Sequence, residues 1–149
     1  MPSLQDIVSE AMIDLKGLIL QGAEARGKNA TGQTGRSIQT TAIQSQNIVA
    51  GTLTMEAQWK WWGNGRGPGR MPPIDNIQRW IDARGLSLSA YAVAHNMAKK
   101  GSLDYRLKRT NLVEDEVAAW EAERLTKLEE AMAENLLDRT VTIFKPNGK

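Results

Sequence analysis

Residues 59–85 read WKWWGNGRGPGRMPPIDNIQRWIDARG and hold four of the five tryptophans in this chain of 149 residues. Five of the chain's thirteen glycines and three of its five prolines fall in the same stretch. Glycine accepts backbone conformations that a side chain forbids, and proline fixes φ ahead of a helix. This mixture of large apolar side chains and turn residues predicts an ordered loop over residues 63–73, held at both ends by tryptophans.

Two short helices are predicted after this loop. The first begins near Pro73, ends before Gly85 as its C′ residue, and has one apolar face. That face is formed by Ile74, Ile77, Trp80 and Ile81. The second covers about residues 89–100, begins after a serine, and ends in two lysines and Gly101.

The N-terminal third predicts a helix and a hairpin. Residues 3–25 carry an apolar stripe at helical spacing, with Ser3 as N-cap and Asp6 as an acidic partner in the first turn. A polar loop is expected at 25–36; its basic residues can reach an acidic neighbour or a phosphate, but a solvated loop is the simpler interpretation.

Residues 37–44 and 48–55 flank a turn and predict two antiparallel strands. Because a hairpin alone is marginally stable, the sheet needs either further strands or a covering helix, and residues 59–62 and 140–145 are the candidate further strands.

The net charge of +2 conceals two blocks of opposite sign. Residues 60–109 contain ten basic and three acidic residues, whereas residues 111–138 contain nine acidic and two basic ones. The second block has helical periodicity and a length of about 40 Å at 1.5 Å per residue, more than a domain of this size needs. We expect this long acidic helix to project and to lie partly against another chain, where the opposite blocks attract each other.

These elements predict a single α+β domain over residues 1–149. The N-terminal helix and the central helices are expected to pack on a small antiparallel sheet, followed by the long C-terminal helix. The absence of cysteine excludes a disulfide framework and a thiol nucleophile. The sequence has no run of 18 apolar residues and no leader pattern, so neither a membrane span nor a secretory signal is expected.

The sequence offers little for catalysis. A phosphate-binding loop needs Lys and then Ser or Thr after its last glycine, whereas Gly69 is followed by Arg70 and Met71. His95 is the only histidine, and its place on a helix among alanines is more typical of a packed or surface residue than of a ligand. The neighbouring carboxylates at 114–116 and 129–130 fall on the solvated side of the long helix. We therefore expect no enzyme activity, no metal and no cofactor.

Two strings carry a family resemblance: GNGRGPGRMPPIDNIQRWIDARG at 63–85 and AVAHNMAKKGS at 92–102. A glycine loop, a double proline, a short helix with a tryptophan and an alanine-rich helix ending in basic residues and glycine follow in that order. This order resembles the central signature of neck or tail-completion proteins of tailed bacteriophages. Thr31-Gly32 and Ser37-Ile38 resemble the family's upstream T-G-x-x-x-x-S-I region, so the resemblance covers roughly residues 31–102.

The resemblance implies a non-enzymatic structural protein of a phage or prophage at the head-to-tail junction, assembled in the host cytoplasm and located in the virion. It implies a ring, with six copies favoured over twelve, that contacts portal or adaptor proteins and tail proteins. The expected interface or loop anchors are Trp59, Trp61, Trp62, Gly65, Arg66, Gly67, Arg70, Pro72, Pro73 and Trp80. The basic residues expected to face another subunit or DNA are Lys99, Lys100, Arg106, Lys108 and Arg109.

Binding of DNA or RNA by the basic segment 60–109 is the competing interpretation. Basic residues interleaved with aromatic ones suit contact with the phosphate backbone and stacking on bases. The same tryptophans serve equally as core anchors of a small domain, and the sequence lacks a helix-turn-helix, zinc-finger or RNP-like motif. The sequence therefore favours the structural role with weak, non-specific DNA contact, and leaves an unrecognised hydrolase as a weaker third alternative.

Overall fold

The computed structural model describes the backbone of residues 2–46 and 48–144, with side chains up to residue 138. The elements in chain order are α1 (Leu4–Ala25), α2 (Gln33–Ser37), β1 (Gln39–Ser45), β2 (Ile48–Thr54), a 3-10 helix η1 (Ala57–Trp61), α3 (Ile74–Ala83), α4 (Ala90–Lys100), α5 (Leu103–Arg106) and α6 (Leu112–Phe144). Helices pack on an antiparallel hairpin and a long helix ends the described chain, so the expected α+β fold class is confirmed.

Ser3 is the N-cap of α1, as predicted, and it forms a capping box with Asp6. The Asp6 N–H donates to Ser3 Oγ at 3.1 Å, and the Ser3 N–H donates to the Asp6 carboxylate at 2.9 Å. The bonds from the Ser3 side chain and backbone lower the pKa of Asp6. Both exchanged bonds satisfy donors at the helix start that lack a partner within the helix.

Helices α1 and α6 run antiparallel along nearly the whole of α1. Leu112, at the start of α6, lies against Gly22 near the end of α1. Farther along, Arg124 forms a 2.7 Å ion pair with Asp14, and Asn135 donates a hydrogen bond to the Pro2 carbonyl. As far as Asn135, α6 therefore packs on α1 of its own subunit, so the expectation that this helix projects is wrong for that part. Beyond Asn135, α6 continues past the start of α1 to Phe144.

The central core cluster draws on both ends of the chain. Its buried residues come from α1, the residue before β1, the residue after η1, and α6: Leu15, Ile19, Ala23, Ile38, Trp62, Leu112 and Trp120. A fully buried aliphatic or aromatic side chain contributes roughly 1.5–3 kcal/mol relative to its exposed state. This cluster therefore fixes the positions of α1 and α6 relative to the tryptophan-rich stretch.

The hairpin is covered by α1 on one face only. Gln39 lies opposite Thr54 and Ser45 opposite Ile48, and within the described residues the sheet consists of these two strands. A Cβ on Gly51 would lie 2.7 Å from the Met12 side chain, which shows how closely α1 approaches the sheet. The outer face carries Ile43 and Ile48, and both side chains are exposed.

Neither additional strand forms within the described residues. The expected strand at 59–62 is wrong, because η1 turns the chain so that Trp62 enters the core. The expected strand at 140–145 is also wrong as far as Phe144, since residues 140–144 continue α6; Lys145 lies outside the described residues. Extending an existing helix adds a hydrogen bond per residue, which here outweighs the β-propensity of this segment. The expected loop at 25–36 also contains the start of α2.

Helices α3 and α4 form a central pair whose ends agree with the prediction. Pro73 is the N-cap residue of α3, and Gly85 follows its C-cap at a φ of +62°. Ser89 caps α4, accepting a hydrogen bond from Ala92 N at 3.3 Å, and Gly101 ends it at a φ of +79°. Of the predicted apolar face of α3, Ile81 is buried and Ile74 is exposed.

Candidate functional site

The glycine loop, residues 63–70, is fastened to the junction between α4 and α5. Arg66 N donates to Ser102 Oγ at 2.8 Å, and Ser102 N donates to the Arg66 carbonyl at 2.8 Å. Gly69 N donates to the Ala98 carbonyl, also at 2.8 Å. These bonds and the buried neighbour Trp62 hold the loop in one conformation.

Close approach between backbones explains why glycine alternates in this loop. A Cβ on Gly63 would lie 2.2 Å from the Asn111 Cα, and a Cβ on Gly65 would lie 2.2 Å from Ser102 Oγ. Gly65 also has a φ of +71°, a conformation that side chains rarely adopt. The glycines therefore let the loop lie directly on residues 102–112.

The expected anchors have different environments. Trp62 is 6% exposed and lies in the core, whereas the adjacent Trp61 is 53% exposed. Trp59 and Trp80 are half-buried, and the Arg84 guanidinium lies 5.3 Å from the Trp80 ring centre.

The remaining expected anchors lie in and after the loop. Pro72 is buried, whereas Pro73 is exposed at the N-cap of α3. The Arg66 side chain donates to the Arg70 carbonyl at 2.6 Å. A Cβ on Gly67 would lie 3.3 Å from the Tyr105 ring, so this glycine also packs closely.

The expected basic residues lie on the surface around α5. Lys99, Lys100, Arg106 and Lys108 are exposed, and among the described residues they form no ion pair. Arg109 is different, because its guanidinium contacts the Asp104 carboxylate at 2.9 Å. Four cations of this group are therefore available to a partner of opposite charge.

Asp104 is a buried carboxylate that the sequence did not reveal as important. Its two oxygens form ion pairs with Lys28 and Arg109. Arg26 extends the network, donating at 3.1 Å to both the Thr110 carbonyl and Asp115. The loop after α1 is thereby tied to α5 and the start of α6, whereas the sequence favoured a solvated loop.

The electrostatics at Lys28 are set by burial and by neighbouring cations. Burial and then the positive charges of Arg109, Arg26 and Arg84 lower the pKa of Lys28 to about 8. The Thr110 hydroxyl and Arg26 lower the pKa of Asp115 through hydrogen bonds. Asp104 is therefore the buried counter-charge at the centre of a strongly cationic cluster.

Exposed aromatic rings also occur in the central part of the chain. On α4, the ring centres of Tyr91 and His95 lie 6.1 Å apart with an interplanar angle of 14°. Both residues are exposed, so His95 is a surface residue. Tyr105 on α5 is exposed as well. Planar rings and free cations thus occupy the same central part of the chain.

Within the described ranges, no group of three or more His, Asp or Glu is arranged to hold a metal ion. A search of the described helices for one long and apolar enough to cross a membrane finds none. Comparisons of the chain with protein-family models, curated proteins and solved structures give no match.

Proposed function

We propose that this protein is a non-enzymatic structural component of the head-to-tail junction of a phage or prophage. In this role it assembles into a ring, six copies rather than twelve, and offers surfaces to portal or adaptor proteins and to tail proteins. Its place is the virion, after assembly in the host cytoplasm. The proposal originates in the resemblance of residues 31–102 to neck and tail-completion proteins.

The main supporting observation is the contact between the two strings that carry the resemblance. Arg66 from the glycine loop and Ser102 after α4 exchange two hydrogen bonds, and Gly69 bonds to Ala98. The strings therefore form one rigid unit, and their glycines and caps serve backbone packing. The bonds between the strings all involve backbone atoms, and none of these residues presents a reactive group. The contact therefore supports a structural role in assembly.

Exposed apolar side chains provide a second line of support. Ile43 and Ile48 on the hairpin, and Leu103 and Leu107 around α5, are each more than half exposed. Exposed apolar groups in patches are a feature of protein–protein contact sites. Such surfaces suit a ring subunit that contacts copies of itself and other proteins.

Native mass spectrometry with electron microscopy of the purified protein tests this proposal. The expected result is a closed ring whose mass corresponds to six subunits. Because complementary charge contributes to assembly, the ring should weaken at high salt. A protein that stays monomeric at every concentration, and also in mixtures with portal and tail proteins, would contradict the proposal.

Nucleic-acid binding is a second candidate, favoured by the exposed rings of Trp61, Tyr91 and Tyr105, which share residues 60–109 with lysines that form no ion pair among the described residues. A dedicated DNA site with six or more phosphate contacts gives a log-log salt slope of roughly −5 or steeper. For the ring protein we expect dissociation constants no tighter than about 10⁻⁶ M at physiological salt. Nanomolar binding that is lost when Arg106, Lys108 and Arg109 are replaced by Ala would reverse the ranking.

A further inference from the structure

We infer that a distal segment of α6 in one copy docks on the surface around α5 of a second copy. The α6 tail is residues 128–138, and the α5 surface is residues 99–109. This inference rests on the proposed self-assembly and specifies its interface. Charge, exposed leucines and the length of α6 each support it.

The two surfaces carry opposite charges of similar size. The α5 surface contains five basic residues, and its one acidic residue, Asp104, is buried in ion pairs. The α6 tail contains four acidic residues and no basic one: Glu129, Glu130, Glu134 and Asp138. All four acids are exposed, as are the five basic residues. Opposed surfaces of this kind attract each other during encounter and set the register of docking.

Exposed leucines lie among these charges on both surfaces. Leu103 and Leu107 are 56% and 55% exposed, and four residues apart they lie on one side of α5. Leu137 on the α6 tail is 65% exposed. Burying such side chains against each other adds the apolar contribution that exposed ion pairs lack.

The length of α6 prevents the two surfaces from meeting within one subunit. Arg109 precedes α6 by three residues, whereas Leu137 lies twenty-five residues beyond Leu112. At 1.5 Å per residue, Leu137 lies about 37 Å from the start of the helix, and Leu128, where the tail begins, lies about 24 Å from it. Complementary surfaces at opposite ends of a rigid rod can pair only between copies. Pairing of two different surfaces is heterologous, and it closes into a ring when the rotation permits.

The absence of cysteine allows a direct test by disulfide cross-linking. The variants Leu107→Cys and Leu137→Cys are purified separately, mixed and oxidised mildly. A heterologous interface predicts a cross-linked dimer in the mixture and little from either variant alone. Ile43→Cys, on the exposed hairpin face, replaces Leu107→Cys in the control mixture and should give only background. Glu134→Cys provides a second position on the tail if Leu137→Cys folds poorly.

Charge reversal gives an independent readout by native mass spectrometry. Glu134→Lys alone and Arg106→Glu alone should each reduce the assembled fraction, whereas the double variant should restore it. If the wild-type protein assembles but the mixture of Leu107→Cys and Leu137→Cys gives no more cross-linked dimer than the control mixture with Ile43→Cys, this interface is overturned and the proposed ring remains intact. Wild-type protein that is monomeric both alone and in mixtures with portal and tail proteins would contradict the proposed function itself, and with it this inference.

Discussion

Ser102 Oγ accepts a 2.8 Å hydrogen bond from Arg66 N, while Ser102 N returns a 2.8 Å bond to the Arg66 carbonyl. The same hydroxyl accepts from Tyr105 N at 3.5 Å as the N-cap of α5. One serine therefore orders the glycine loop and starts the following helix. The two halves of the signature depend on each other through this residue.

Ser102→Ala should lower the free energy of unfolding by about 1–2 kcal/mol, because the substitution removes a cap and leaves the Arg66 N–H without its acceptor. Denaturant unfolding followed by circular dichroism measures this loss. Trypsin should also cleave faster after Arg66 and Arg70. Ser87→Ala, in the exposed linker between α3 and α4, is the matched control and should change stability by less than about 0.5 kcal/mol. Equal effects at both serines would show that the loop is held in some other way.

Gly63→Ala and Gly17→Ala should change stability in opposite directions. A Cβ on Gly63 would meet backbone atoms of residues 110–112 at 2.2–2.4 Å, so we expect a loss of about 3 kcal/mol from overpacking. Gly17 lies within α1 with no described atom within 4 Å of an added Cβ, and alanine there should stabilise by about 0.5–1 kcal/mol. Thermal melting of both variants measures the contrast. A tolerated Gly63→Ala would contradict the close approach of the loop to α6.

Trp62→Ala should cost about 3–5 kcal/mol, whereas Trp61→Ala should cost less than about 1 kcal/mol. The difference follows from burial, since the first ring lies in the core cluster and the second is more than half exposed. Trp80→Ala should fall between them, because its ring is half-buried. Urea titrations monitored by far-UV circular dichroism measure all three. A larger loss of stability for Trp61→Ala than for Trp62→Ala would mean that Trp61, and not Trp62, is the core residue.

The stability contributed at Lys28 should increase with pH. The pKa of Lys28 is about 8 in the folded protein, against an ordinary value of 10.5. Between these values the unfolded chain binds more protons at this residue, so the free energy of unfolding rises with pH. The measurement is the difference in stability between the wild-type protein and Lys28→Met from pH 7 to 10.5. A difference that falls over this range would mean that pairing with Asp104 dominates and raises the pKa instead.

Local signals in the sequence were sufficient for several elements. The Ser3–Asp6 capping box, the hairpin and the ends of α3 and α4 follow from residues within a few positions of each other. Capping and left-handed glycine conformations are determined by local backbone geometry, so a sequence can reveal them. The charge separation between residues 60–109 and 111–138 is likewise visible in the sequence, because it depends on composition alone.

Features that depend on distant contacts were missed. The segment 59–62 has strand-like composition, but burial of Trp62 between α1 and α6 determines its path. The Lys28–Asp104 pair joins residues far apart in the sequence. The sequence indicates this pair only through Asp104, the single acidic residue among the basic residues of 99–109. The packing of α6 on α1 could not be inferred from length alone, since an apolar stripe fits a partner in the same chain or in another.

The mass of the purified wild-type protein, measured by native mass spectrometry over a range of protein and salt concentrations, shows whether the protein assembles into the proposed ring. We expect a ring of six subunits that dissociates as salt increases, because opposite charges contribute to the contact between copies. A monomer at every protein and salt concentration, also in mixtures with portal and tail proteins, would contradict this assembly.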